Sequence, residues 1–120
     1  MLTIDWYEKS REPGLTDDFI REHKNKVKWD QISSYQILSE SFIKEFQDKV
    51  DWYWISHDQV LSEDFIKEFQ DKVDWYCISY YQKLSVDFII EFIGKMDLNL
   101  ILEHQNLDPE TKEYLKLLLK

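Results

Sequence analysis

A 23-residue period runs through this chain without a gap, and it constrains the fold more than any single residue does. Residues 38 to 60 read LSESFIKEFQDKVDWYWISHDQV and residues 61 to 83 read LSEDFIKEFQDKVDWYCISYYQK, two near-copies in direct succession. The blocks LTDDFIREHKNKVKWDQISSYQI at 15 to 37 and LSVDFIIEFIGKMDLNLILEHQN at 84 to 106 hold the same register with more drift. Trp6 lies 23 residues before Trp29 and Leu107 lies 23 after Leu84, so the register extends to a half-repeat over 1–14 and a closing segment over 107–120. A fixed period of this size marks an array in which each unit buries its apolar face against its neighbours.

Each repeat carries two helix starts. Thr16, Ser39, Ser62, Ser85 and Asp108 recur at one position, and each side-chain oxygen can accept from the free N–H groups of a first helical turn. Acidic Asp17, Glu40 and Glu63 follow, and Lys26, Lys49, Lys72 and Lys95 come near the end, the order that the helix dipole favours. This predicts a helix A of about ten residues. Asp5, Asp51, Asp74 and Asp97 each precede the Trp position, with Lys28 as the exception, and predict a helix B of about eight residues. Helices this short draw their stability from packing.

On helix A, Phe42, Ile43, Phe46 and Val50 fall on one side, and Phe65, Ile66, Phe69 and Val73 repeat them. On helix B, Trp52, Ile55 and Gln59 share a stripe with Ser56 beside them. The ladder of Trp6, Trp29, Trp52 and Trp75 is therefore expected in the core. Gln36, Gln59, Gln82 and Gln105 need hydrogen-bond partners on that inward stripe and are expected to find them in neighbouring turns. The fold expected is an all-α, α-solenoid array in one domain, with repeats 15–37, 38–60, 61–83 and 84–106 closed by a C-terminal capping helix over 107–120.

Two Gly, two Pro and 16% aromatic residues fit a chain folded along most of its length. Cys77 is the single cysteine, which leaves no intramolecular disulfide and suits a reducing, cytoplasmic setting. No basic-then-apolar leader opens the sequence, and no apolar stretch approaches membrane-spanning length, so no membrane partner is expected. The net charge of −9 disfavours direct nucleic-acid binding and would suit a basic partner.

The unit W-x-x-I-S-x-x-Q-x-L-S-E-x-F-I-x-x-F-x-x-K-V, running from Trp52 to Val73, resembles short tandem repeats in uncharacterised proteins of giant DNA viruses and some phages. Those repeats often carry Asn-Pro where this chain has Tyr-Gln or Asp-Gln. The resemblance implies a helical repeat array without an established activity, and it permits the expectation of a host protein as partner, met in a host cell.

A catalytic site needs several groups converging in one pocket. His23, His57 and His104 occupy different repeat positions, no histidine pair has metal-ligand spacing, and no Gly-rich phosphate loop is present. We expect no enzyme activity, no cofactor and no metal site. Glu45, Glu68 and Asp71 stand beside lysines, as solvated surface pairs do.

The variable positions suggest a protein-binding scaffold. Gln31, Trp54, Cys77 and Leu100 occupy the first; Ser34, His57, Tyr80 and Glu103 the second; Tyr35, Asp58, Tyr81 and His104 the third; Ile37, Val60, Lys83 and Asn106 the fourth. The first three share a face of helix B opposite the Trp, Ile and Gln stripe, with Tyr35, Trp54, His57, Asp58, Tyr80 and Tyr81 as candidate protein-binding residues. That face either meets a partner or packs on adjacent repeats. A second possibility is an acidic decoy whose Asp17, Glu40, Glu63, Asp48, Asp51, Asp71 and Asp74 imitate nucleic-acid phosphates, although Lys44, Lys49, Lys67 and Lys72 interrupt them. At the chain's end, Ile90 and Ile93 replace polar residues, so Leu107, Tyr114, Leu115, Leu118 and Leu119 are expected either to cover them as a cap or to form a homodimer contact.

Overall fold

The structure is a computed structural model, and it describes residues 3–118. The chain is all-α, with ten α-helices, one 3-10 turn and no strand among the described residues. Chain packing divides it into two compact units, Met1–Gln59 and Val60–Lys120, a boundary one residue from the junction of the two near-identical repeats.

The first unit holds α1 (Trp6–Arg11), α2 (Asp17–Glu22), α3 (Trp29–Tyr35), α4 (Glu40–Glu45) and α5 (Trp52–Asp58). The second holds α6 (Glu63–Glu68), α7 (Trp75–Tyr81), α8 (Val86–Glu91), α9 (Leu98–His104) and α10 (Pro109–Leu118), with a 3-10 turn at Ile93–Lys95. Within the first unit α1 packs on α3 and α3 on α5, and within the second α7 packs on α9, so successive B helices stack side by side as in an α-solenoid.

The expected caps form. Thr16, Ser39, Ser62 and Ser85 accept from the backbone N–H of Phe19, Phe42, Phe65 and Phe88. Asp5, Asp51, Asp74 and Asp97 cap the B helices in the same way, while Lys28 makes no side-chain cap. Helix B matches its expected length, but helix A does not. Its α-helical part is only six residues, and the chain then turns. The reason lies in the following helix B. The Phe46 carbonyl accepts from both Lys49 and Val50, which closes the helix into a tight turn. The freed Gln47 carbonyl accepts from Trp52 Nε1 at 2.9 Å. Trp29 does the same to Lys24 and Trp75 to Gln70.

Those indoles are half-buried rather than fully interior, because each must reach a carbonyl at the edge of the core. The other face of each ring lies along the next helix A: Trp29 on Phe46, with centroids 5.1 Å apart, and Trp75 on Phe92 at 5.4 Å. The deepest layer is an aliphatic one. Ile20, Ile32, Ile43 and Ile55 in the first unit, and Ile66, Ile78, Ile89 and Ile101 in the second, are completely excluded from solvent.

Neighbouring repeats are also tied by polar side chains with fixed sequence offsets. Gln59 Nε2 donates to the carbonyls of Ser33 and Gln36 at 3.0 and 2.6 Å, and its Oε1 accepts from Leu38 N at 3.1 Å. Gln36 repeats the arrangement with Ser10, Glu12 and Leu15, and Gln105 with Ser79, Gln82 and Leu84. Buried serines reach forward: Ser10 Oγ accepts from Lys28 N, Ser33 Oγ from Asp51 N and Ser79 Oγ from Asp97 N. Among the described residues no buried side-chain nitrogen or oxygen lacks a partner.

Candidate functional site

Around helix B, the Trp, Ile, Ser and Gln positions take the inward side, which leaves the other positions on the remaining arc at about 100° per residue. The first variable position is not part of a free surface. Cys77 is fully buried, and Gln31, Trp54 and Leu100 are half-buried. The second and third positions pair laterally across successive repeats at an offset of 24 residues. Arg11 Nη2 donates to the Tyr35 hydroxyl at 3.2 Å, Ser34 Oγ donates to Asp58 Oδ2 at 2.8 Å, and the rings of Tyr80 and His104 stack 4.0 Å apart. The residues that vary between repeats are thus each other's partners.

Two clusters result, one in each unit. In the first, Asp58 Oδ1 lies 2.7 Å from His57 Nδ1, and the His57 ring sits edge-on to Trp54 at 5.3 Å and beside Tyr53 at 5.9 Å. The Asp58 carboxylate stands between Ser34 and His57, so the imidazole is not set against the hydroxyl as nucleophile activation requires. In the second, Tyr80 and Tyr81 are in contact at 4.4 Å and both remain exposed. Tyr35 is exposed as well, and the Arg11 guanidinium lies 4.7 Å from its ring and 5.5 Å from that of Tyr7. The Tyr35 hydroxyl beside it strengthens the hold of Arg11 on its proton. Arg11 and Tyr35 border an open groove of about 630 Å³ whose walls include Ile4, Glu8 and Glu12.

The outward surface contains residues that the sequence reading did not single out. Tyr7, Tyr53 and Tyr76, each directly after the Trp or its equivalent, are exposed. Their own 23-residue period was a readable signal. Ile37 and Val60, of the fourth variable position in the turn after helix B, are 100% and 94% exposed.

The outward side of helix A carries charge, and its phenylalanines point to the core. Arg21 makes a two-point contact with Glu45 at 2.8 and 2.9 Å, and Lys67 reaches Glu91 at 3.2 Å, again at an offset of 24. Arg21 holds the Glu45 carboxyl below the usual carboxylate range. Cations therefore stand among the acidic residues of this side. Among the described residues no group of three His, Cys, Asp or Glu could hold a metal ion.

In the closing segment, Asp108 accepts from Thr111 N at 2.7 Å, and this bond holds its carboxyl below the usual range. Leu115 is fully buried and Ile90 and Ile93 are half-buried, whereas Tyr114, Leu117 and Leu118 are exposed; Leu119 lies outside the described residues. No helix among the described residues is long and apolar enough to cross a membrane. No protein-family model, curated protein or solved structure matches the chain.

Proposed function

We propose that this chain is a non-enzymatic repeat scaffold that binds a protein through the outward side of its B helices and the turns that follow them. The observation that carries this reading is the chemistry of that side. It exposes Tyr35 and Ile37 in one unit and Val60, Tyr76, Tyr80 and Tyr81 in the other, where a purely solvated repeat surface would carry charge. Tyrosine supplies contact area with little rotamer entropy to lose and a hydroxyl at the rim, which is why it anchors protein interfaces. The viral and phage repeats that the sequence resembles would make that partner a host protein, met inside the host cell.

The test replaces Tyr35, Tyr80 and Tyr81 together with Ser and compares capture from the native host by wild type and variant, with far-UV circular dichroism as the folding control. The scaffold reading expects an intact fold, loss of one captured protein, and wild-type binding that changes little with salt. Capture that survives in the variant but falls steeply with ionic strength would instead favour the acidic decoy.

A further inference from the structure

Helix α1 presents an edge that differs from those of the later B helices. Ile4 stands at the position of Val27, Val50 and Val73, which are buried, yet it is 54% exposed. Lys9 and Pro13 occupy the places of the buried Ile32 and Gln36. Gln36 reaches back to the carbonyls of Ser10 and Glu12, and proline has no amide with which to do the same, so this edge lacks the polar connection that joins one repeat to another. It carries instead the open groove of about 630 Å³, a volume in the range of clefts that take ligands.

The charges along this groove are of two kinds, those already engaged and one that is not. Asp5 Oδ1 accepts from the N–H groups of Tyr7 and Glu8 as the cap of α1. Glu12 pairs with Lys9 at 3.1 Å, and Lys9 also lies over the Phe19 ring. Arg11 is held by the ring and hydroxyl of Tyr35. Among the described residues nothing hydrogen-bonds to or ion-pairs with the Glu8 carboxylate, which acts on Arg11 only through space. Asp5, Glu8 and Glu12 against Lys9 and Arg11 leave the groove with one negative charge in excess.

We propose that the groove takes one arginine side chain of the partner protein, its guanidinium paired with Glu8 and its methylene stem on the apolar wall that Ile4 and Tyr35 supply. This rests on the scaffold reading and names the chemistry of one contact within it. A guanidinium meets a carboxylate through two parallel N–H groups while its stem covers apolar surface. The molecule already holds a guanidinium in this way, with Arg11 4.7 Å from the centre of the Tyr35 ring. A run of several cations gains less, because Lys9 and Arg11 line the same groove and repel every charge after the first. A phosphate is disfavoured by the three carboxylates.

The test titrates the ¹⁵N-labelled full chain with the blocked peptide Ala-Ala-Arg-Ala-Ala, and with the same peptide carrying citrulline, a neutral group of nearly the same shape. Saturable shifts of the Glu8, Glu12 and Tyr35 amides are expected, with affinity about tenfold weaker for citrulline. E8Q should weaken the arginine peptide about fivefold and leave the rest of the amide spectrum unchanged, because Glu8 is exposed. No saturable shift up to the solubility limit overturns the proposal. So does equal binding of the citrulline peptide, indifference to E8Q, or shifts spread over Asp17, Glu40 and Glu63 of the A helices. The scaffold reading is separable. If host capture is lost on replacing Tyr35, Tyr80 and Tyr81 while the arginine peptide leaves the groove amides of the wild type unmoved, the groove proposal alone fails. Peptide binding with nothing captured from the host overturns the scaffold reading and leaves the groove its ligand.

Discussion

Replacing Gln59 with Leu tests whether side-chain amides hold successive repeats together. Gln59 is buried and makes three hydrogen bonds, donating to the Ser33 and Gln36 carbonyls and accepting from Leu38 N. Leu has similar volume and keeps the packing, so the change isolates the polar term. Each buried backbone group stripped of its partner costs about 1 to 3 kcal/mol. Three such groups sum to about 5 kcal/mol, and the extra apolar burial of Leu offsets about 1 to 2 kcal/mol. A net loss of about 3 kcal/mol is expected, or a fall in Tm on the order of 10 °C. That is a large part of the stability of a domain this size. Urea unfolding followed by circular dichroism measures it. The control is Gln47→Ala, whose amide reaches only the exposed Lys44 carbonyl and should cost under about 1 kcal/mol. Q59E adds a second check: its carboxylate would face two carbonyls, so its defect should shrink on acidification as protonation restores one donor. If Q59L unfolds with wild type, or costs no more than the Gln47 variant, the amide ladder is not what joins the repeats.

Three further outcomes follow from the same geometry. Trp52→Phe keeps a ring in place but removes the bond to the Gln47 carbonyl and should cost about 1 kcal/mol, whereas Trp52→Ala should cost several, both read by chemical denaturation. On acidification, Asp108 and Glu45 have folded-state proton affinities depressed by their partners, so the folded chain binds fewer protons than the unfolded one across the acidic window. Their contribution is present at neutral pH and lost as the pH falls through and below the ordinary carboxylate range; a pH titration of Tm should show a smaller acid loss for D108N and E45Q than for wild type. Deleting residues 107 to 120 removes the fully buried Leu115 and exposes the apolar groups packed around it, so the truncated chain should aggregate or melt at lower temperature in light scattering; a soluble, unchanged monomer would show that α10 is not a cap.

The period, the caps and the inward glutamines were legible because each is a local rule applied at a repeated position. Ser39 needs only the N–H of Phe42, three residues on, to be read as a cap. The length of helix A was not legible, since what ends it after Glu45 is a turn whose loose carbonyl is taken by Trp52, a residue assigned to a different helix. Cys77 illustrates the same limit at the candidate site. Variation among Gln31, Trp54, Cys77 and Leu100 resembles surface freedom, but burial of that position is set by tertiary packing, which the variation does not encode. The pairing of Ser34 with Asp58 and of Arg11 with Tyr35 likewise needs the stacking distance between repeats. Tyr7, Tyr53 and Tyr76 could have been found from their period alone.

The fixed offsets of the inter-repeat bonds bear on how such a protein can change its length. Within each compact unit a serine reaches forward one repeat and a glutamine reaches back, so a further 23-residue copy carrying both residues would arrive with each connection already matched. Duplication or loss of a whole unit preserves the wiring, while an insertion of any other length places an unpaired amide or hydroxyl inside the core. The near-identical blocks 38–60 and 61–83 are what a recent duplication of this kind would leave behind. Selection on such a gene can adjust the length of the array in whole steps without disturbing the bonds that join one repeat to the next.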